Sequence, residues 1–434
     1  MNSSETRSTA ARRARLAERH PGWTFLLPAA PVTRRNASVD HAYRADSDVG
    51  YLCGFDEPDA TLLLRCPREA GRAPQATLFV RPRDARHELW LGPIAGPERA
   101  AALTGIDDVR PSSALWPALG DLLADLMAAP TDERSTLAYR LGLDARRDLE
   151  LLATLETLRA RRQRSGRGLP PIVDPHVAIG ELRLLKDEGE IARIRRAAAA
   201  SAAAHHAAMR TTRPGDSELV VAARLRAELA RAGAEREAYL TIVAGGERAQ
   251  CLHASPTARP LAAGELVLVD AACELDGYAS DITRTWPVGP RFEGAAREHY
   301  EIVLAAQRAA IDAVRPGTTL DAVHDIARAH IARGFGLAED DKDAIDALFP
   351  HRTSHLIGRD VHDAGLYRQA DGSARPLEPG MVFSVEPGAY RDGIGVRIED
   401  MVLVTDGGCE VLTASVPKAV TEIEALRREA FPDG

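Results

Sequence analysis

The chain has 434 residues, which is more than a single hydrophobic core usually serves, so we expect two domains. A net charge of -8 excludes the basic surface that nucleic-acid binding requires, and no apolar run is long enough to cross a membrane. Five scattered cysteines, and an arginine-bearing start without the apolar core of a signal peptide, favour a cytoplasmic protein.

The first part of the chain alternates short apolar strands with helices, which predicts an α/β fold. The strands are expected at Ala60–Arg65 and Gln75–Val80, and the helices at Pro117–Ala128 and Asp144–Arg162. The polar stretch Arg161–Pro175, rich in glycine and proline, is typical of a linker. We therefore expect one domain over residues 1–172 and a second over residues 173–434.

Two segments of the second domain resemble each other. Arg213-Pro214-Gly215 and Arg315-Pro316-Gly317 each lie between two helical runs, and strands follow. The repeat indicates an internally duplicated domain with pseudo-two-fold symmetry. Chance similarity of one tripeptide is the alternative.

Two aspartates lie on a predicted β-hairpin. Gly264–Cys273 and Tyr278–Val288 have the composition of strands, and Asp276-Gly277 between them is a turn signal. If the loop holds an even number of residues, strand alternation places Asp270 and Asp281 on one face, as direct or diagonal neighbours. An odd loop without a bulge separates them, and a lone aspartate is more often a turn or surface residue. Two facing carboxylates in apolar strands favour a bound cation, because burying them unpaired is costly.

Three histidines, His351, His355 and His362, are concentrated in one short segment that also carries Gly358. A neutral imidazole is a suitable metal ligand, and a second one can hydrogen-bond an oxyanion in a reaction. Gly358 permits close approach of the backbone, which favours a functional site. A polar surface loop is the alternative.

Two glutamates occupy positions where apolar side chains are expected. Glu386 follows the predicted strand Met381–Val385, and Glu399 lies inside the apolar stretch Gly393–Thr405. With the two aspartates and one histidine they form a hard, oxygen-rich set that suits two divalent ions, with Mn²⁺ as our prediction and Co²⁺ or Zn²⁺ as alternatives. Four carboxylates balance the charge of two such ions in a dry pocket.

Four segments of the second domain resemble the pita-bread peptidases, the family that includes methionine aminopeptidase, aminopeptidase P and prolidase. They are DAACELDGYASDITRTWPVG, SHLIGRDVHD, VEPG and GVRIED, and they carry the five metal ligands of the family in the order Asp, Asp, His, Glu, Glu. The first domain is similar to the N-terminal domain of the aminopeptidase P branch at Tyr43-Arg44, Ser47-Asp48, Gly54-Phe55, Glu57-Pro58 and Glu88-Leu89-Trp90. The resemblance implies an α/β (α+β) fold, with a creatinase-like N-terminal α/β domain and a catalytic pita-bread domain that is internally duplicated.

The resemblance also implies a role for each ligand. Asp270 binds one ion, Asp281 and Glu399 bridge both, and His355 and Glu386 bind the other. A hydroxide that bridges the two divalent ions attacks the peptide carbonyl, and Glu386 also serves as general base.

Further residues are candidates for contact with the substrate. His253 and His362 match the family histidines that stabilise the developing tetrahedral centre. We also predict substrate-binding or ligand-orienting roles for His351, Tyr239, Tyr390, Arg397 and Trp90. For the last four, simple packing or a surface ion pair is the alternative.

The activity implied by the resemblance is hydrolysis of the bond between an N-terminal residue and a following proline, by a homodimer or homotetramer that acts on peptides. Prolidase, which cuts Xaa-Pro dipeptides with the same ligands, is the enzymatic alternative. A pita-bread domain that has lost its metals and serves as a binding module is the third possibility. One departure is Ser38, where the best-matching branch has an acidic residue that contacts substrate.

Overall fold

The computed structural model describes residues 3–128, 136–162 and 168–431. The chain forms two compact units, Met1–Leu182 and Arg183–Gly434. Our limits of 1–172 and 173–434 for the two domains remain a prediction. Across the described residues, no helix combines the length and apolar character needed to cross a bilayer.

The first unit is a six-stranded sheet with helices on both faces. Its strands are β1 (Trp23–Pro28), β2 (Thr61–Arg65), β3 (Gln75–Val80), β4 (Asp108–Pro111), β5 (Thr136–Ala138) and β6 (Ile172–Val173). Its helices are α1 (Ser3–Arg19), α2 (Ser47–Cys53), α3 (Ala85–Leu91), α4 (Gly96–Thr104), α5 (Leu115–Ala128), α6 (Ala145–Arg162) and α7 (His176–Arg183). The strand order is β4-β3-β2-β1-β5-β6, with antiparallel pairing at β1–β2 and β2–β3 and parallel pairing elsewhere.

Alternation along β1 separates the two cores of this unit. Phe25 and Leu27 pack in a cluster with α1, α2 and α4, whereas Leu26, between them, packs with α5 and α6. Both predicted strands and both predicted helices are observed with nearly the expected limits. The predicted linker differs, because its residues Ile172–Val173 form β6; residues 163–167 of that stretch lie outside the described residues.

The second unit contains six helices and eleven short strands among its described residues. The helices are α8 (Glu188–Thr211), α9 (Glu218–Arg231), α10 (Gly294–Asp312), α11 (Leu320–Gly334), α12 (Lys342–Leu348) and α13 (Val420–Ala430). The strands are β7 (Arg236–Glu237), β8 (Ile242–Gly245), β9 (Leu266–Asp270), β10 (Cys273–Leu275), β11 (Tyr278–Ala279), β12 (Thr283–Pro287), β13 (Val382–Val385), β14 (Gly388–Arg391), β15 (Ile394–Arg397), β16 (Asp400–Thr405) and β17 (Gly408–Val411). Three-stranded sheets β12-β9-β8 and β13-β16-β17 surround the site, together with the pair β14–β15.

The internal duplication expected from the two Arg-Pro-Gly units is confirmed. Gly215 joins α8 to α9 and Gly317 joins α10 to α11, with φ of 88° and 87° respectively. The N–H of Gly215 donates to the carbonyl of Leu261 over 2.8 Å, and that of Gly317 donates to Leu377 over 2.9 Å. Each turn therefore has the same left-handed glycine and the same tie to the chain that returns beside it.

Candidate metal centre

The predicted hairpin has the two-residue turn that an even loop requires. Asp276 and Gly277 have φ of 51° and 70°, the positive values of the turn that matches the twist of antiparallel strands. Leu275 pairs with Tyr278 immediately beside this turn. The register of the whole hairpin follows from this turn.

Asp270 and Asp281 lie on the same face of this hairpin. Asp270, the last residue of β9, pairs with Thr283, so Asp281 is two residues away on the opposite strand. Because side chains alternate along a strand, the two carboxylates are diagonal neighbours, which is one of the two arrangements that an even loop predicts. The hydroxyl oxygen of Tyr239 lies 2.5 Å from Oδ1 of Asp270 and 2.6 Å from Oδ1 of Asp281, so both carboxylates meet at one phenol.

His355 lies between two carboxylates. Its Nε2 is 3.4 Å from Oδ2 of Asp281 and 3.2 Å from Oε1 of Glu386. Burial by itself lowers the pKa of His355, but hydrogen bonds and charge from these carboxylates outweigh it and raise the pKa well above the usual range. Nδ1 is 3.3 Å from the carbonyl of Leu356, which leaves Nε2 to face the acidic groups.

Glu399 brings a further carboxylate into the same cluster. Its N–H donates to the carbonyl of Thr283, and its Oε2 accepts the Thr283 hydroxyl over 2.8 Å. Oε1 is buried and has no hydrogen-bond partner among the described residues. Burial, followed by the charges of Asp281 and Glu386, raises the pKa of Glu399 well above its usual range.

This donor set fits a divalent cation. One ligand atom each from Asp281, His355 and Glu399 lies within 4.8 Å of the other two. Burial also raises the pKa of Asp270 to about 6, with the charge of Asp281 adding to the effect. A cation bound here would relieve both the desolvation and the repulsion of these crowded carboxylates, and it would give the buried Oε1 of Glu399 a partner.

The cluster opens into a cavity of about 510 Å³. All five predicted ligands line it, together with His253, His351, His362, Tyr239 and Arg397. Sequence reasoning missed the apolar part of the wall, which includes Leu240, Ile242, Leu252 and Val361. The cavity therefore combines an acidic floor with imidazoles and an apolar wall, which is the usual character of a site for a small ligand.

Arg397, Tyr390 and His351 form one hydrogen-bonded chain behind the ligands. Arg397 donates through Nη2 to Oδ2 of Asp270 over 2.6 Å and through Nη1 to the Tyr390 hydroxyl over 3.1 Å. The Tyr390 hydroxyl lies 2.8 Å from Nε2 of His351, whose Nδ1 donates to the carbonyl of Arg352. Burial lowers the pKa of His351, so a neutral ring accepts from Tyr390. Tyr390 therefore acts on the cavity through its neighbours.

The remaining predicted residues belong to the first unit. Trp90 lies on α3 and is 81% exposed within the chain. Ser38 is exposed, and its N–H donates to the side chain of Asn36. The role predicted for Trp90, and the effect of Ser38 on substrate binding, remain predictions.

Two family models match the chain, one within each unit. The model described as metallopeptidase family M24 matches residues 192–406, and the model described as aminopeptidase P, N-terminal domain, matches residues 9–128. The chain is 37% identical to the Xaa-Pro aminopeptidase of Escherichia coli over 96% of each chain. It is 31% identical to Xaa-Pro aminopeptidase 1 of Streptomyces coelicolor, covering 96% of this chain and 86% of that one.

The chain is also similar to solved structures of aminopeptidases along nearly its whole length. An aminopeptidase of Pseudomonas aeruginosa superposes with a TM-score of 0.89 at 39% identity, over 99% of both chains. Aminopeptidase P from Escherichia coli, solved with the inhibitor Pro-Leu, gives a TM-score of 0.90 at 36% identity, again over 99% of both chains.

Proposed function

The chain belongs to metallopeptidase family M24, within its Xaa-Pro aminopeptidases, and on that basis we propose that it hydrolyses the bond between an N-terminal residue and a following proline. The observation that supports this most directly is the convergence of Asp270, Asp281, His355, Glu386 and Glu399 on one cavity. A hydrolase of this kind needs such a cluster beside a cavity that admits a peptide end.

We propose that the five ligands hold two divalent ions and that Mn²⁺ is the native metal. Carboxylate oxygens dominate the donor set, which favours a hard cation. Bound there, such ions lower the pKa of water and polarise a carbonyl group. The buried Oε1 of Glu399 supports the assignment, because a buried carboxylate oxygen without a partner in the described chain is otherwise costly.

Glu386 is the group that we propose as general base. Burial by itself raises the pKa of Glu386, but the hydrogen bond from His355 and the charge of that ring lower it below the usual range. The carboxylate is therefore ionised at neutral pH in the metal-free chain, and the charge of bound divalent ions would keep it ionised, so that it could accept a proton from the attacking water. Its N–H donates to the carbonyl of Thr353, which fixes the start of the segment after β13.

His362 and His253 are proposed to contact the substrate. Burial and the charge of His355 lower the pKa of His362, so its ring is neutral and can donate one N–H to a developing oxyanion. The rings of His362 and His355 are 4.3 Å apart and nearly perpendicular, which places His362 beside the ligands. His253 lines the same cavity.

We further propose a cytoplasmic homodimer or homotetramer. Free cysteines, three of them buried, are typical of a reducing compartment. Light scattering after size-exclusion chromatography tests the assembly, and a purely monomeric protein contradicts it.

The activity is tested on the full-length protein after removal of metal and reconstitution with Mn²⁺. We expect the protein to release arginine from the tripeptide Arg-Pro-Pro, which mass spectrometry detects. Elemental analysis should find two Mn²⁺ per chain. Glu386→Gln is the matched inactive control, since it removes the proposed base while changing few atoms.

The outcomes separate the alternatives. Cleavage of an Xaa-Pro dipeptide with no turnover of Arg-Pro-Pro identifies a prolidase and contradicts the proposal. A folded protein that takes up no Mn²⁺ and cleaves neither peptide identifies a binding module instead.

A further inference from the structure

His253 lies on a segment whose two ends are close together. The segment leaves β8 after Gly245, passes through a short 3-10 helix at Gly246–Gln250 and returns at Thr257. Its residues Leu252–Ser255 line the cavity consecutively. One wall of the cavity is therefore made of irregular chain, and something outside that chain must fix its position.

The carboxylate of Glu218 contacts both ends of this segment. Oε1 accepts the N–H of Gly245 over 3.0 Å, and Oε2 accepts the N–H and the hydroxyl of Thr257 over 2.9 Å and 2.7 Å. Glu218 is the first residue of α9, and its side chain is fully buried. Each oxygen thus holds a different end.

Arg248 links the same carboxylate to the middle of the segment. Its Nε donates to Oε1 of Glu218 over 3.0 Å, and its Nη2 donates to the carbonyl of Ser255 over 2.8 Å. Ser255 is two residues after His253. The guanidinium therefore ties the part of the segment nearest the cavity to the carboxylate that holds its ends.

A buried carboxylate costs free energy unless its oxygens are hydrogen-bonded, and every donor to Glu218 named above comes from this one segment. The arrangement requires an acceptor at both side-chain oxygens of residue 218. Glu218→Gln replaces one of these oxygens with an NH₂ group, which donates. One end of the segment then faces a donor in place of an acceptor. A shift of about 1 Å in a substrate-contacting group can lower the rate roughly a hundredfold.

We propose that Glu218 is a positioning residue for catalysis, which acts by fixing the segment that presents His253 to the substrate. This inference rests on the proposed function, in which His253 contacts the substrate. Glu218 itself touches neither the ligands nor the substrate in this assignment.

A double-mutant cycle tests the proposal in the Mn²⁺-loaded, full-length protein. Glu218→Gln should lower kcat/KM for Arg-Pro-Pro roughly tenfold or more, with bound Mn²⁺ per chain unchanged. In the His253→Ala background the same substitution should cost less than about threefold, because the residue through which Glu218 acts is already gone. Equal losses in both backgrounds, or wild-type kinetics for either single variant, overturn the proposal.

Glu190→Gln is the matched control. Glu190 is also a buried glutamate in the first turn of a helix, and it accepts the Tyr278 hydroxyl and the N–H of Asp187. The Glu190→Gln substitution should leave kcat/KM within about twofold of the wild-type value, even if it lowers Tm. If Glu218→Gln does not fold, Thr257→Val removes one of the same hydrogen bonds, and its loss of kcat/KM should likewise be smaller in the His253→Ala background than in the wild-type background.

Hydrogen exchange separates a failure of this proposal from a failure of the proposed function. Amides of residues 245–257 should exchange faster in Glu218→Gln than in Glu190→Gln, and equal exchange overturns the anchoring role. A wild-type protein that loads Mn²⁺ and leaves Arg-Pro-Pro intact contradicts the proposed function, whatever the exchange pattern.

Discussion

The hydroxyl of Thr283 donates a hydrogen bond to Oε2 of Glu399 over 2.8 Å, in the buried centre of the second unit. The same hydroxyl oxygen accepts from Nε of Arg397 over 3.2 Å. Thr283 therefore occupies one carboxylate oxygen of a predicted bridging ligand, and Oε1 is left as the oxygen without a partner among the described residues. Groups that orient ligands in this way influence metal affinity.

Thr283→Val keeps the shape of the side chain and removes both hydrogen bonds. We expect Mn²⁺ affinity to fall roughly tenfold, because Glu399 is no longer held in one orientation. Calorimetric titration of the metal-free protein measures this directly. Thr285→Val is the matched control: Thr285 is also buried on β12, but among the described residues its hydroxyl bonds the backbone of Arg397 and no ligand side chain. Equal affinities for the two variants refute the role assigned to Thr283.

Asp281→Ala should abolish peptidase activity. Asp281 is predicted to bridge both ions, and it also faces Nε2 of His355 and the Tyr239 hydroxyl, so its removal disrupts the whole cluster. Turnover of Arg-Pro-Pro and bound metal per chain are measured together. Asp276→Asn, at the turn of the same hairpin, should retain both. Near-wild-type turnover by Asp281→Ala contradicts the ligand assignment.

His362→Ala should separate turnover from metal binding. The ring lies beside His355, with 4.3 Å between the ring centroids, and His362 is not one of the five predicted ligands. We expect kcat to fall roughly a hundredfold with bound Mn²⁺ unchanged, which is the effect of losing a group that stabilises the transition state. Loss of the metal in this variant shows instead that His362 is a ligand or a structural residue.

The sequence predicts those parts of this site that depend on residues close together in the chain. The Asp276-Gly277 turn determines the hairpin register by itself, so the facing of Asp270 and Asp281 follows from their spacing along the chain. Thr283 and Glu218 were missed for the opposite reason. Their partners Glu399 and Thr257 are distant in sequence, and a threonine in a strand or a glutamate at a helix start is ordinary in its own context.

The strand β6 shows the same limit in the fold. Its residues Ile172–Val173 lie in a proline-rich stretch typical of a linker, and pairing with Leu137 and Ala138 of β5 overrides that local signal. The exposed residue Leu240 likewise lines the cavity beside Tyr239, whose hydroxyl bonds Asp270, a residue 31 positions further along the chain. Tertiary contacts of this kind have no local signature.

Asp400→Asn tests a buried ion pair directly behind Glu399. Asp400 accepts from Arg284 over 2.6 Å, from Lys418 over 2.6 Å and from Gln307 over 2.8 Å, and its side chain and that of Arg284 are fully buried. The substitution leaves buried positive charge without its partner, which costs about 3 to 5 kcal/mol. Tm should fall by on the order of 10 °C.

Glu410→Gln is the control for that experiment. Glu410 pairs with Arg195 at 2.5 Å, but both side chains are more than 40% exposed, at 42% and 49%. Exposed pairs contribute at most about 1 kcal/mol, so Tm should fall by less than about 4 °C. Equal decreases in Tm for Asp400→Asn and Glu410→Gln would contradict the prediction that breaking the buried Asp400–Arg284 pair costs more stability than breaking an exposed pair.

His205 should make the protein less stable in acid. Its side chain is fully buried, and Nε2 donates to the carbonyl of Ala271 over 2.8 Å, so Nδ1 is the unprotonated nitrogen; Nδ1 has no partner among the described residues. Burial lowers the pKa of His205 to about 3, whereas an unfolded histidine has a pKa of about 6.5. Between these values only the unfolded state takes up the proton, so the free energy of unfolding decreases as pH falls.

The free energy of unfolding should decrease by up to about 1.4 kcal/mol for each pH unit below 6.5, and the decrease ends near the pKa of His205 in the folded state. Thermal unfolding of the metal-free protein between pH 7 and pH 4.5 measures it, with His205→Gln as the comparison. Glutamine can still donate to Ala271 but binds no proton in this range, so Tm of the variant should fall less steeply with pH. Parallel Tm profiles for the two proteins contradict the prediction, because the acid sensitivity must then come from other groups.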